Sequence, residues 1–334
     1  MKNKNILYAN ITAVGKYVPE KIITNYDLEQ KMDTTNEWIT SRTGIEQRRK
    51  ASNEETSVSM SVNAIKEIIK NKNVNPKDID AIIVATITPD MFFPSCACLI
   101  QQQIEATNAW GFDLSAACSG FVFALETASN MIQSKKYKKI IVVGVDTMSS
   151  IIDYNDRNTA VLFGDGAGAV LIEPSETNGI IDSKMKIDGD GGKFLYMPGG
   201  GSLNPATEKT VKNNMHFVKQ DGASVFKNAV KGMTDITSEI MNNNNLSNNN
   251  INLFIAHQAN KRIIDLVAKK LKFNEAQTFI NIDKYANTTA ATIPIALYDA
   301  LNSKRLHDND NIVITTFGAG FTWGSIYMKW NMHE

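Results

Sequence analysis

Cysteine and histidine are scarce in this chain. Its 334 residues hold three cysteines (Cys96, Cys98 and Cys118) and four histidines, at 216, 257, 307 and 333. Three thiols in so long a chain form no disulfide framework, and a reducing cytoplasm is the expected compartment. Cys96 and Cys98 stand one residue apart, which is not the spacing of a zinc knuckle, and so few histidines leave no metal site expected. An excess of either charge is missing as well. The 35 Lys and Arg balance the 35 Asp and Glu, which points to no nucleic-acid coat and no polybasic membrane tether. Long apolar runs are absent: no stretch approaches the roughly 20 residues of a bilayer span. The opening MKNKNILYANITAV is interrupted by Asn10 and Thr12 and reads as no signal peptide. With 43% apolar and 21% charged residues, the remaining expectation is a soluble globular protein.

Four β-rich runs bounded by polar residues predict buried strands, at 79–85 (IDAIIVA), 139–145, 251–257 (INLFIAH) and 311–317 (NIVITTF). Between them, 58–69, 121–132 and 263–271 repeat apolar residues at helical spacing. Strands alternating with helices predict an α/β fold with parallel-type sheets. Two strand spacings agree: 251 − 79 = 172 and 311 − 139 = 172. The common offset predicts two halves of one design, 1–174 and 175–334, joined near 173–178 (EPSETN). The asparagine-rich 242–250 reads as a solvated loop tip. Under the offset Cys118 maps to Ala290 (118 + 172 = 290), inside YANTTAAT, so equivalent strand-to-helix turns of the two halves are expected side by side.

Cys118 lies in GFDLSAACSG (111–120), where an apolar run gives way to small residues and then a helix. Small neighbours admit a substrate, and a helix N-terminus favours a thiolate. Position alone leaves a buried structural cysteine equally open. For Cys96 and Cys98, in a helical apolar stretch, the structural reading is preferred. His257 ends a strand and precedes a helix, the place where α/β proteins keep their sites. Asn287 falls in the turn before Thr288, where a cap or turn role is as natural as a chemical one. The turn 317–324 (FGAGFTWG) can aim a backbone amide at a ligand. The glycine runs at 163–170, 188–192 and 198–202 match neither a phosphate loop nor a dinucleotide fingerprint, so they read as turns and no nucleotide cofactor is expected.

In order along the chain, TTNEWITSRTGIEQRR, DLSAACSGF, DRNTAVLFGDGAGAVLIEP, HQANKRI, YANTTAATIPIAL and TTFGAGFTWGS resemble β-ketoacyl-carrier-protein synthase III, of the thiolase superfamily. The resemblance implies the thiolase fold, two duplicated α/β halves in a five-layered αβαβα core, and a homodimer. It implies an acyltransferase that condenses an acyl-CoA starter with malonyl-acyl carrier protein, with loss of carbon dioxide, and so begins fatty acid synthesis. No cofactor is implied, since acyl-CoA is a substrate.

The roles implied are specific. Cys118 matches the acylated nucleophile, and His257 and Asn287 match the pair that binds the extender thioester carbonyl. The backbone N–H groups of Cys118 and Ala319 match the oxyanion hole. Many relatives have three glycines where this chain reads Gly318, Ala319, Gly320. Trp38, Arg42 and Arg157 match contacts to the coenzyme A adenine and phosphates. Thr34, Gly222, Phe226 and Asn260 match the pantetheine channel. Phe93 and Phe317 match the acyl pocket, Phe93 by reaching across the dimer, and Lys227 and Arg262 match the surface that docks the carrier protein.

A paralogue that condenses longer chains or builds a secondary metabolite shares these motifs. A papain-like hydrolase shares the order Cys, His, Asn but not the duplicated frame. A degradative thiolase needs a second cysteine in the C-terminal half, and none follows Cys118. Loss of Cys118 or His257 would favour a non-catalytic carrier or coenzyme A-binding protein on this fold, and both are present.

Overall fold

The computed structural model describes residues 7–332; His333 and the first six residues, part of the segment read for a signal peptide, lie outside them. Two five-stranded sheets carry the fold among the described residues. One runs Tyr8–Tyr17, Gly166–Ser175, Ile140–Asp146, Ala81–Ala85, Trp110–Leu114. The other runs Gly179–Ile187, Thr322–Lys329, Asn311–Gly318, Leu253–Ala256, Thr278–Phe279. Numbered within its own half, each order is first, fifth, fourth, second, third. The offset of 172 holds in the ladders themselves: the parallel partners Ala81 and Ile140 become Leu253 and Ile312.

The sheets are mixed rather than wholly parallel. In each, the second strand pairs parallel with the third and fourth, while the fourth, fifth and first are antiparallel. In the second half the connection between fourth and fifth strands is only residues 319–321. A tight return of that length can only reverse the chain.

Successive side chains of the inner strands alternate between two apolar layers. Ala81, Ile83, Leu253 and Ile255 face the centre of the molecule, while Ile82, Val84 and Phe254 face outward. Strands covered on both faces read as continuous apolar runs, which is why their positions were legible. The helices Gly120–Gln133 and Thr292–Asn302 fill the space between the sheets. Ser57–Lys72 covers the outer face of the first sheet; Gly222–Asn243 and Lys261–Leu271 cover that of the second. The result is the five-layered thiolase-like arrangement. The outer helices begin at side-chain caps, Thr56 with Ser59 in a reciprocal box, Asp221 and Asn260. Neither central helix has one; both grow out of 3-10 turns.

Two local readings are corrected. The segment 163–170 is not all turn: Gly166 opens the strand Gly166–Ser175. Its glycines serve packing, since a Cβ on Gly168 would stand 2.6 Å from the Pro294 Cβ. The asparagine run is loop only in its middle, because the helix Gly222–Asn243 runs into it and Asn248–Asn250 forms a 3-10 turn. Cys96 is buried and Cys98 exposed on the helix Cys96–Gln103. No helix among the described residues is long and apolar enough to cross a membrane.

Candidate active site

Cys118 sits in the 3-10 turn Ala117–Ser119, which leads into Gly120–Gln133. The turn Thr289–Ala291 leads in the same way into Thr292–Asn302. The two turns differ by the same 172 residues, and each begins at a non-glycine residue in the left-handed region: Ala117 at φ 46° and Thr289 at φ 52°. Such backbone costs roughly 1–3 kcal/mol and persists only where surrounding structure enforces it. Here each turn is gripped from the opposite half. Ser119 Oγ donates to Thr322 O at 3.0 Å, and Thr289 Oγ1 donates to Asp146 Oδ2. Gly318 backs directly onto the nucleophile: a Cβ there would lie 2.8 Å from the Cys118 nitrogen and 3.1 Å from the Cys118 Cβ.

Two cavities meet at Cys118. One, of about 440 Å³, holds Cys118, His257, Asn287 and Phe317 at its buried end and passes Gly222, Phe226 and Asn260 to reach Trp38. The other, of about 390 Å³, is lined by apolar side chains that include Ile87, Met148, Phe163 and Leu195, together with Ala319. A thioester whose sulfur and carbonyl carbon lie at Cys118 would therefore have one arm in each cavity.

The polar groups at the junction carry no charge. Burial alone pulls the His257 imidazolium down to about 3, so the ring is neutral at physiological pH. Asn287 Oδ1 accepts the Thr289 N–H at 2.8 Å, which leaves the Asn287 Nδ2 group to face the cavity. Burial, with the Asp146 charge second, pushes the Cys118 thiol up to about 12 against a smaller opposing pull from a backbone amide. Burial therefore works against the pull of the helix N-terminus toward a thiolate. Asp146 is fully buried and accepts from the Thr86, Thr88 and Thr289 hydroxyls and from the Ile87, Thr88 and Ala290 amides.

Most of the remaining anticipated residues gather at the larger cavity and its mouth. Trp38, Gly222, Phe226 and Asn260 line the larger cavity. Arg42 and Arg157 flank the indole, with guanidinium carbons 5.9 and 5.0 Å from its centroid, and Arg157 also donates to Asp33 O at 2.7 Å. Asn260 caps the helix Lys261–Leu271 and donates to Arg42 O at 3.1 Å, which ties the two walls of the mouth. Thr34 lines neither cavity, although its Oγ1 is buried without a partner. Lys227 and Arg262 are exposed beside the mouth, Arg262 stacked over Phe226 at 5.4 Å.

The two residues matched to the acyl pocket lie outside the apolar cavity of their own chain: Phe317 faces the larger cavity, and Phe93 is exposed, as a residue that reaches across a dimer would be. Phe317 lines the larger cavity with His257, packed on Phe321 and Trp323, because its strand turns that face toward the second half's own core. Phe93 is 85% exposed and lines neither cavity of its own chain. Residues not anticipated include the apolar lining Ile87, Met148, Phe163 and Leu195, Asp146, and Thr292, whose Oγ1 lies 2.7 Å from His257 Nδ1. The 172 offset could have flagged Asp146, which maps to Gly318; nothing local marks the cavity lining, which comes from separate segments.

Comparison with known proteins matches residues 112–189 to the family model for 3-oxoacyl-acyl-carrier-protein (ACP) synthase III, and residues 241–330 to that for its C-terminal part. A curated β-ketoacyl-acyl-carrier-protein synthase III of Koribacter versatilis is 48% identical over 325 residues, covering 96% of this chain and 98% of the relative. One of the same name from Chlorobaculum tepidum is 49% identical over 326 residues, covering 96% and 99%. The crystal structure of 3-oxoacyl-acyl-carrier-protein synthase III from Aquifex aeolicus superposes with a TM-score of 0.90 at 40% identity, covering 96% of this chain and all of that one.

Proposed function

From the premise that this chain belongs to the β-ketoacyl-acyl-carrier-protein synthase III family, condensing acyltransferases that initiate fatty acid synthesis, we propose how its residues divide that work. The observation that carries the division is the meeting of two unlike cavities at Cys118. Acyl-CoA enters by the larger cavity, with its adenine stacked at Trp38 between Arg42 and Arg157, its pantetheine arm past Gly222, Phe226 and Asn260, and its acyl chain in the apolar cavity. Cys118 sulfur bonds to the acyl carbon while the carbon–sulfur bond to coenzyme A breaks; the thiol proton leaves with the coenzyme A sulfur. The Cys118 and Ala319 amides face the tetrahedral oxygen. Ala319 is outside the left-handed region, so the alanine that replaces a glycine here is unstrained.

Malonyl-acyl carrier protein then uses the same cavity, with its acidic surface against Lys227 and Arg262. Its carboxylate leaves as carbon dioxide, and the electron pair becomes an enolate whose oxygen receives hydrogen bonds from His257 and Asn287. The enolate carbon attacks the acyl carbonyl, Cys118 sulfur leaves as thiolate and regains a proton, and β-ketoacyl-carrier protein departs. The chemistry uses no cofactor. Holding both thioesters at one point supplies much of the rate.

The protein acts as a cytoplasmic homodimer on this reading. Free Cys98 on the surface suits a reducing compartment. Met91, Phe92 and Phe93 form an exposed apolar run fit for a second copy, whose Phe93 would close the apolar cavity. Intact mass after mixing with short, branched and medium-chain acyl-CoAs tests the division of labour. A mass gain lost in Cys118→Ser, followed by β-ketoacyl product on adding malonyl-carrier protein, supports it; no acylation by any acyl-CoA refutes it. Light scattering of wild type and Phe93→Asp tests the dimer, with dissociation expected only in the variant.

A further inference from the structure

His257 does not stand alone in its wall of the site. Thr292, the first residue of its helix, is buried against it, with Oγ1 2.7 Å from His257 Nδ1 and 3.0 Å from the Thr289 carbonyl oxygen. A threonine hydroxyl has one proton to give. Given to Thr289 O, it leaves the hydroxyl to receive Nδ1–H, and Nε2 then faces the cavity as a bare acceptor. Given to Nδ1, it leaves the neutral ring's single proton on Nε2.

Two observations favour the second arrangement. The Thr289 carbonyl already receives the Thr292 backbone N–H, so it is not orphaned when the hydroxyl turns away. The 2.7 Å separation sits at the short edge of the N–H···O range, about 2.7–3.2 Å, and hydroxyl donors form the shorter bonds. Moreover, ring and hydroxyl occur as a unit. Under the 172 offset His257 and Thr292 correspond to Ala85 and Gly120, and a Cβ on Gly120 would stand 3.0 Å from the Ala85 Cβ. The first half has the same juxtaposition with neither group, and it is the half that supplies the nucleophile.

We propose that Thr292 is a positioning residue: its hydroxyl donates to His257 Nδ1 and so keeps the imidazole proton on Nε2, facing the cavity shared with Cys118 and Asn287. Nε2–H and the Asn287 Nδ2 group then both donate to the thioester oxygen as it becomes the enolate. The inference rests on the role assigned to His257 above.

The test combines Thr292→Val, which keeps the branched shape without the hydroxyl, Thr292→Ser, which restores it, and nitrogen NMR of labelled histidine in the wild-type protein. The expected wild-type signal is a hydrogen-bonded, unprotonated Nδ1 with a protonated Nε2, shifting toward Nδ1–H in T292V. Malonyl-carrier decarboxylation by T292V falls about 10- to 100-fold, short of the roughly 100- to 1,000-fold expected for deleting a donor outright. Acylation of Cys118 stays within about twofold, and T292S recovers most of the decarboxylation. A wild-type His257 protonated at Nδ1 overturns the proposal whether or not the variant folds. So does T292V decarboxylating at the wild-type rate, or losing acylation and decarboxylation equally. A wild-type enzyme that acylates Cys118 yet never decarboxylates the malonyl carrier sinks the role of His257 itself, and that of Thr292 with it.

Discussion

Asp146 and Gly318 end equivalent strands 172 residues apart, and each lies against the helix-leading turn of the opposite half. Asp146 fills that place with a carboxylate, 3.4 Å from the Ala290 nitrogen and bonded to the Thr289 hydroxyl. Gly318 leaves the same place empty beside the Cys118 nitrogen, where a Cβ would come within 2.8 Å. The duplicated frame thus fills one such place with its own carboxyl group and leaves the other open beside the Cys118 amide.

Gly318→Ala is expected to fill the open place. Its methyl group meets Cys118 N, Cys118 Cβ and Ser119 N, all backbone or near-backbone atoms that cannot move aside cheaply. Single-turnover acylation, followed by intact mass, should slow at least about 100-fold, the scale of losing an oxyanion donor, while circular dichroism stays that of a folded protein.

Asp146→Ala should act on stability more than on chemistry. It strands buried donors from Thr86, Ile87, Thr88 and Thr289 in an apolar interior. A buried neutral donor left without its partner costs about 1–3 kcal/mol. Denaturant unfolding should show a shift of that size, and a change within experimental scatter would mean the network is dispensable.

Cys118 should behave as a thiol, not a thiolate, in the free enzyme. With its proton held up to about 12, alkylation by iodoacetamide should keep rising through pH 7 to 10, by about tenfold per unit. A plateau near neutrality would show that the helix N-terminus outweighs burial.

His257 supplies the opposite pH signature. Its folded value near 3 lies below the ordinary 6.5, so only the unfolded chain takes up this proton as pH falls below 6.5. Stability from this group is full above 6.5 and drains toward pH 3, by up to about 1.4 kcal/mol per unit. His257→Gln should flatten that slope in pH-dependent unfolding. Decarboxylation by the acyl-enzyme should show no histidine titration between pH 5 and 8.

Trp38→Ala should separate the two ends of the larger cavity. Loss of an aromatic stacking platform is worth about 1–3 kcal/mol per base, or roughly a 5- to 150-fold rise in KM for acyl-CoA. A truncated acyl-N-acetylcysteamine thioester, which has no adenine, should be used equally well by both proteins. Equal losses on both substrates would place the adenine elsewhere.

Much of the frame was written locally. Inner strands covered on both faces need unbroken apolar runs, and central helices need small and apolar residues on their buried sides, so strand and helix positions and the 172-residue repeat could be read directly. The small residues around Cys118 and the turn before Thr288 were legible for the same reason: a strand must end and a helix begin within a few residues. Tertiary structure alone decided how those turns face each other. The contacts that set the site join residues 143 to 206 positions apart, Asp146 to Thr289, Ser119 to Thr322 and Thr322 to Ala116. No local pattern encodes such pairings. The Cys118 thiol and the His257 ring owe their shifted protonation chiefly to burial, and that solvent exclusion exists only once the two sheets have closed around the central helices.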